Sequence, residues 1–263
     1  MEKMYIDTDE DYVDSEKMLD NPASRPPQNA LLWMNIAFRM LIERWGSWLI
    51  ISVFIIFVEF VLDFAGEMLK VLWFFLPMAT LLMHCGIQSA ASAQEYDEEA
   101  PSIRHLFAPL EGKVFEFILF YALFLGVGLC AWLLFNGLGK HFGLLEASLL
   151  QANKPITLML WAAFCLSLLG FVFWFAPALV FLRNENPFAA IGMSLKAGFK
   201  NILPFVVFFI VQYLLILALA FAVTRSTNIT IIIVVTTVFF LFYQIFIALC
   251  CYAAYRDIWF EEQ

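Results

Sequence analysis

GSWLIISVFIIFVEFVLDFAG (46–66) carries only two charged side chains, Glu59 and Asp63, in an otherwise apolar run. About 20 such residues suffice for an α-helix to cross roughly 30 Å of hydrocarbon. Hydrocarbon offers no partner to a bare peptide group, so a stretch of this kind must close its own hydrogen bonds as a helix. Five further stretches follow the same logic, at about 69–92, 114–137, 155–182, 202–224 and 230–252. The expected fold class is all-α: a polytopic membrane protein with six transmembrane helices. Tight connections after the first and fifth spans predict hairpins, and the order along the chain gives three of them.

Composition agrees with the spans. The chain has 63% hydrophobic and 14% charged residues, 30 Phe among 263 residues and a mean hydropathy of +0.82. Soluble domains hold about 45–50% apolar and about 25% charged residues. A water-exposed surface could not be built from what remains here, whereas lipid accepts apolar side chains facing outward.

The formal charge of −8 is concentrated near the start. Residues 1–29 hold eight acids against Lys3, Lys17 and Arg25, and include Pro26-Pro27. With so little apolar surface to bury, the segment is expected to be a disordered acidic tail. It shows neither the basic start nor the small-residue cleavage site of a secretory signal. Solvation alone explains its charge; docking to a protein partner through residues 1–29 is the alternative. Residues 260–263 form a short tail at the other end.

Orientation follows from Lys and Arg, which favour the cytoplasmic side. With the N-terminus inside, eleven basic residues fall on inner segments, and four (Lys70, Lys140, Lys154, Arg225) on outer ones. An even number of spans then places both termini in the cytoplasm. Three segments precede the odd-numbered spans: ALLWMNIAFRMLIERW (30–45), PSIRHLFAPLEGK (101–113) and NPFAAIGMSLKAGFKN (186–201). Apolar residues at helical spacing mixed with Arg39, Arg44, Lys196 and Lys200 predict amphipathic helices at the bilayer surface, their basic groups on anionic phospholipid headgroups. Pro109 weakens the second. Asn186-Pro187 suits an N-cap and first helical position. One surface helix followed by two spans would repeat three times. WFFLPMATLL (73–82) and WFAPALVFL (174–182) are the nearest internal match; a plain order of hairpins is the alternative.

Polar groups inside spans are expensive and therefore mark candidate sites. Glu59 and Asp63 lie four residues apart on one helix face, suited to a cation or a proton; a span that ends early would leave both near headgroups instead. His84 and Gln88, one turn apart and downstream of Pro77, form a second candidate, with a hydrogen-bonded packing histidine as the alternative. Pro77 and Pro177 each remove a backbone donor and predict a helix kink. Glu116 is expected near headgroups or paired with Lys113. Gln212 and Gln244 read as interhelical hydrogen-bonding groups. Tyr255-Arg256-Asp257 reads as structural. The five cysteines fall in apolar stretches without metal-ligand spacing, as packing residues. No catalytic set, metal site or cofactor motif is recognisable, and the basic residues are too scattered for nucleic acid.

AFRMLIERWGSWLII (37–51), FLPMATLLMHCGIQSAASAQ (75–94) and SIRHLFAPL (102–110) resemble the first half of an uncharacterised proteobacterial family of inner-membrane proteins. FAPALVFLRNENPFAAIGMSLKAGFKNILPF (175–205) is similar to its second half, and CYAAYRDIW (251–259) to its C-terminus. The resemblance covers residues 30–259. It implies a multi-span protein of a bacterial inner membrane and carries no activity.

Two functions fit. The first is a non-enzymatic scaffold or accessory subunit of a membrane complex, with the surface helices and acidic tail as docking surface. The second is a transporter or channel for a small solute, ion or lipid, using Glu59, Asp63 and His84. A lipid-modifying enzyme would call for His, Asp or Arg clusters in the inner loops.

Overall fold

A computed structural model describes residues 18–141, 170–225 and 228–260. Helices dominate them: α1 (Asn29–Glu43), α2 (Trp45–Met68), a 3-10 segment (Lys70–Phe74), α3 (Phe75–Tyr96), a second 3-10 segment (Ile103–Leu110), α4 (Val114–His141), α5 (Ala176–Arg183), α6 (Pro187–Lys200), α7 (Ile202–Arg225) and α8 (Ile229–Trp259). Five are long and apolar enough to cross a membrane: Trp45–Met68, Lys70–Tyr96, Val114–His141, Ile202–Arg225 and Ile229–Trp259. The protein is thus a multi-pass, all-helical membrane protein by length and composition of its helices. Of the stretch expected as a fourth span, 155–169 lie outside the described residues, and 170–183 form a shorter apolar helical piece. Lys154 and Cys165 also lie outside them.

The core is concentrated at one end of the bundle, here called the Asp257 end. There α8 buries Ile245 and most residues from Ala248 to Trp259, α3 buries most of Leu81 to Gln94, and α2 buries Trp48, Ile51, Ser52 and Ile55. Toward the opposite end, Phe57, Phe60 and Phe64 of α2, Leu214, Leu217 and Phe221 of α7, and Ile231 and Val234 of α8 are exposed. In water such faces would aggregate; in lipid they face a solvent as apolar as themselves. Helices α2 and α3 run antiparallel, since Trp48 meets Gln94 and Glu59 meets Thr80.

Close approach is possible where a side chain is missing. A methyl group at Gly86 of α3 would overlap the backbone of Leu106, so the 3-10 segment lies directly on that helix. Ser102 and His105 cap this segment reciprocally. At Gly198 an added carbon would sit 2.6 Å from the Phe171 ring.

Three expectations need correction. The disordered tail is drawn too long: residues 18–28 cross the Asp257 end, and only 1–17 lie outside the described residues. Met18 bridges to Phe260, Leu19 N–H donates to Trp259 O at 2.9 Å, and Ala23 N–H to Ile258 O at 2.8 Å. Backbone hydrogen bonds, the Arg25–Asp257 pair and side chains of Lys196, Lys200 and Asn201 hold this strap, features to which composition is blind.

Pro77 kinks no mid-span helix. It sits in the first turn of α3, after the 3-10 segment, where its missing N–H has no helical partner to lose. Lys113 does not close on Glu116; its ammonium donates to Phe181 O at 2.9 Å. Burial lowers the Lys113 pKa, an effect the charge of Glu116 opposes.

Candidate functional site

Two neighbouring cavities flank the start of α3. The larger, of about 520 Å³, is lined by Leu76, Pro77, Thr80, Leu81 and His84 of α3, Phe124 of α4, Ile247 and Cys251 of α8, and Gly170, Phe173, Trp174 and Pro177 around α5. The smaller, of about 450 Å³, is lined by Ile56, Glu59, Phe60 and Asp63 of α2 with Leu76 and Thr80. Leu76 and Thr80 belong to both walls.

The larger cavity owes its shape to a break in the helical path. Residues 170–173 are helical, Trp174 and Phe175 bend, and α5 restarts at Ala176 with Pro177 in its first turn. Proline lacks the N–H that would continue the helix across this point. The Phe175 N–H freed by the break donates to the buried Ser194 hydroxyl of α6 at 3.1 Å. Trp174 is held by edge-on contacts with Phe205, Phe208 and Phe209, at ring distances of 5.2, 5.0 and 5.8 Å. The two matching sequence scraps are therefore both helix starts, with Pro77 and Pro177 each in a first turn and each on the cavity wall.

Among the sequence candidates, Glu59 and Asp63 are brought together on the smaller cavity, and Thr80 donates its hydroxyl to Glu59 Oε1 at 3.0 Å. His84 lines the larger cavity and makes no hydrogen bond among the described residues. Gln88 does not join it. That amide turns toward α8 and donates to Ala248 O at 3.0 Å.

The remaining interior amides also close helix-to-helix contacts. Gln94 accepts from Trp48 Nε1 at 3.0 Å and donates to Met40 O at 3.1 Å. Gln244 donates to Ser52 Oγ at 2.8 Å, while the Ser52 hydroxyl itself donates to Leu241 O. Gln212 donates to Met34 Sδ at 3.2 Å.

A third polar cluster sits at the Asp257 end. Asp257 pairs with Arg25 at 3.0 Å and accepts from Asn29 Nδ2 at 2.8 Å and Trp33 Nε1 at 2.7 Å. The buried Asn201, after α6, accepts from Arg25 N–H at 2.7 Å and donates to Ala23 O at 2.9 Å. Lys200 reaches Pro22 O at 2.7 Å. Arg256 pairs with Glu95 at 3.2 Å, and Tyr252 donates its hydroxyl to the same carboxylate at 2.5 Å. The strap, α1, α6 and the end of α8 are thereby joined as one platform.

Sequence reasoning missed Thr80, Trp174, Ser194 and the central position of Asp257. An acid in a run such as Tyr255-Arg256-Asp257 gives no sign that its partners lie more than two hundred residues away. Cys85, Cys250 and Cys251 are buried thiols and Cys130 is exposed. Among the described residues no three His, Cys, Asp or Glu side chains are placed to hold a metal ion. The chain matches no protein-family model, no curated protein and no solved structure.

Proposed function

We propose that the protein is a non-enzymatic scaffold or accessory subunit of a membrane complex, with six spans in three hairpins and both termini cytoplasmic. The platform around Asp257 carries this reading. Arg25, Asn29, Trp33, Lys200, Asn201 and Asp257 lock four chain segments together at that end, which favours a rigid docking surface over a moving gate. Beside it, Leu31, Phe38 and Ile42 of α1 and Phe188 and Phe199 of α6 are exposed. Exposed apolar side chains next to polar groups suit a protein partner or the edge of a bilayer. Arg39, Lys196 and Lys200 would set the same end against anionic phospholipid headgroups. The bacterial inner membrane is proposed on the resemblance of residues 30–259 and on the bias of basic residues.

Purification from native membranes in mild detergent tests the scaffold. The expected result is a stoichiometric protein partner, lost when Phe38 and Phe188 are replaced by Ser. Recovery of the chain as a lone monomer, unchanged by those replacements, would overturn it.

The adjoining cavities favour a second reading, transport of a small solute, ion or lipid. Glu59, Asp63, Thr80 and His84 form a broken line of polar groups along apolar walls, with Leu76 and Thr80 lining both cavities. Flux in liposomes, with and without those side chains, separates the two.

A further inference from the structure

We propose that the larger cavity binds a neutral, lipid-soluble molecule with a carbonyl oxygen on a planar conjugated ring, a quinone-class ligand, with His84 as its hydrogen-bond partner. This goes beyond the scaffold reading and stands or falls without it.

The volume of about 520 Å³ falls within the roughly 300–1,000 Å³ of small-molecule sites, which are typically apolar with a few placed polar groups. Here the lining side chains with polar atoms are His84, Thr80, Cys251 and Trp174; the Thr80 hydroxyl is already donated to Glu59, and the buried Trp174 indole N–H has no partner among the described residues. His84 makes no hydrogen bond among the described residues, yet a neutral imidazole has one donor and one acceptor to satisfy.

Its position limits the occupant. His84 lies near the middle of the span Lys70–Tyr96. A phosphate or ammonium headgroup brought to that depth would be desolvated at high cost. An acyl tail reaches the depth easily but offers the imidazole nothing. A neutral ring with a carbonyl reaches that depth without a charge to desolvate and accepts from the imidazole N–H. Phe124, Phe173 and Trp174 supply aromatic surface to pack against it.

The test uses the full chain in mild detergent, titrated with a short-chain ubiquinone and read by quenching of tryptophan fluorescence, since Trp174 lines the cavity. Saturable quenching is expected, with affinity lowered about three- to tenfold by His84→Leu, the worth of one hydrogen bond. Leu76→Phe, which narrows the cavity without touching the imidazole, is expected to weaken binding as well and serves alone if the His84 variant does not fold. Quenching that rises linearly with quinone, as for partition into detergent, would overturn the proposal. So would saturable binding of equal strength in the unaltered chain and both variants.

Discussion

Asp257, near the end of α8, forms an ion pair of 3.0 Å with Arg25, more than two hundred residues earlier in the strap before α1. Both side chains are largely shielded, Asp257 at 8% and Arg25 at 15% exposure, and Asn29 and Trp33 donate to the same carboxylate. Removing one member of a shielded pair leaves the other charge without compensation. Asp257→Ala is therefore expected to destabilise the bundle by about 3–5 kcal/mol, toward the lower figure because some solvent reaches the pair. The double variant with Arg25→Leu should lose less than the two single losses added together. Thermal unfolding of the detergent-purified protein measures both; simple additivity would mean the pair contributes nothing.

At Gly86 the prediction concerns space. Gly86→Leu would drive a side chain into the backbone of Leu106, which cannot rotate away. Overpacking of this kind costs about 1–3 kcal/mol. Gly46, with nothing near its missing side chain, is the control. Gly46→Ala should be neutral or slightly stabilising, because alanine is the better helix former. Equal melting temperatures for Gly86→Leu and the unaltered protein would show that the 3-10 segment is free to move.

Helix contacts through amides predict a graded series. Gln94→Leu removes two interhelical hydrogen bonds, to Trp48 and Met40 O, whereas Gln88→Leu removes one, to Ala248 O. At about 0.6–1.7 kcal/mol for each such bond, Gln94→Leu should be the more damaging. Unfolding in mixed detergent checks the order, and a reversal would contradict it.

Ser194→Ala probes the broken helix. Loss of its hydroxyl leaves the Phe175 N–H buried and unpaired. The expected loss is about 1–3 kcal/mol. Amide hydrogen exchange should speed up at Phe175 and its neighbours while α1 stays protected. Uniform acceleration along the chain would point instead to global destabilisation.

For the acids facing the smaller cavity, Glu59→Gln with Asp63→Asn separates the two functional readings. If the scaffold reading holds, partner recovery is unchanged by this pair of replacements. If the cavities conduct, proton or solute flux into liposomes falls to the level of empty vesicles.

Much of the fold was legible because membrane spans announce themselves by length and apolarity, and α2, α4 and α7 lie close to their expected limits. The last span ran seven residues further than expected, to Trp259, because Tyr252, Tyr255 and Arg256 continue the helix beyond the purely apolar run. Their polar atoms are satisfied by Glu95 and Arg183, partners invisible in a local window. The candidate site was half legible. Intramembrane polarity pointed to Glu59, Asp63 and His84, but periodicity placed His84 and Gln88 together when a single helical turn separates a cavity wall from a contact with α8. Asn228 caps α8 by accepting from Thr230 N–H and Ile231 N–H.

The strap on α8 bears on biogenesis. Its anchors, Ile258 and Trp259, lie at the end of α8, so the strap before α1 stays open until that helix has been made. A nascent chain stalled before α8 would expose Arg25 and the strap backbone to proteases. Completed chains would hide them. Closure of the strap therefore follows the synthesis of α8.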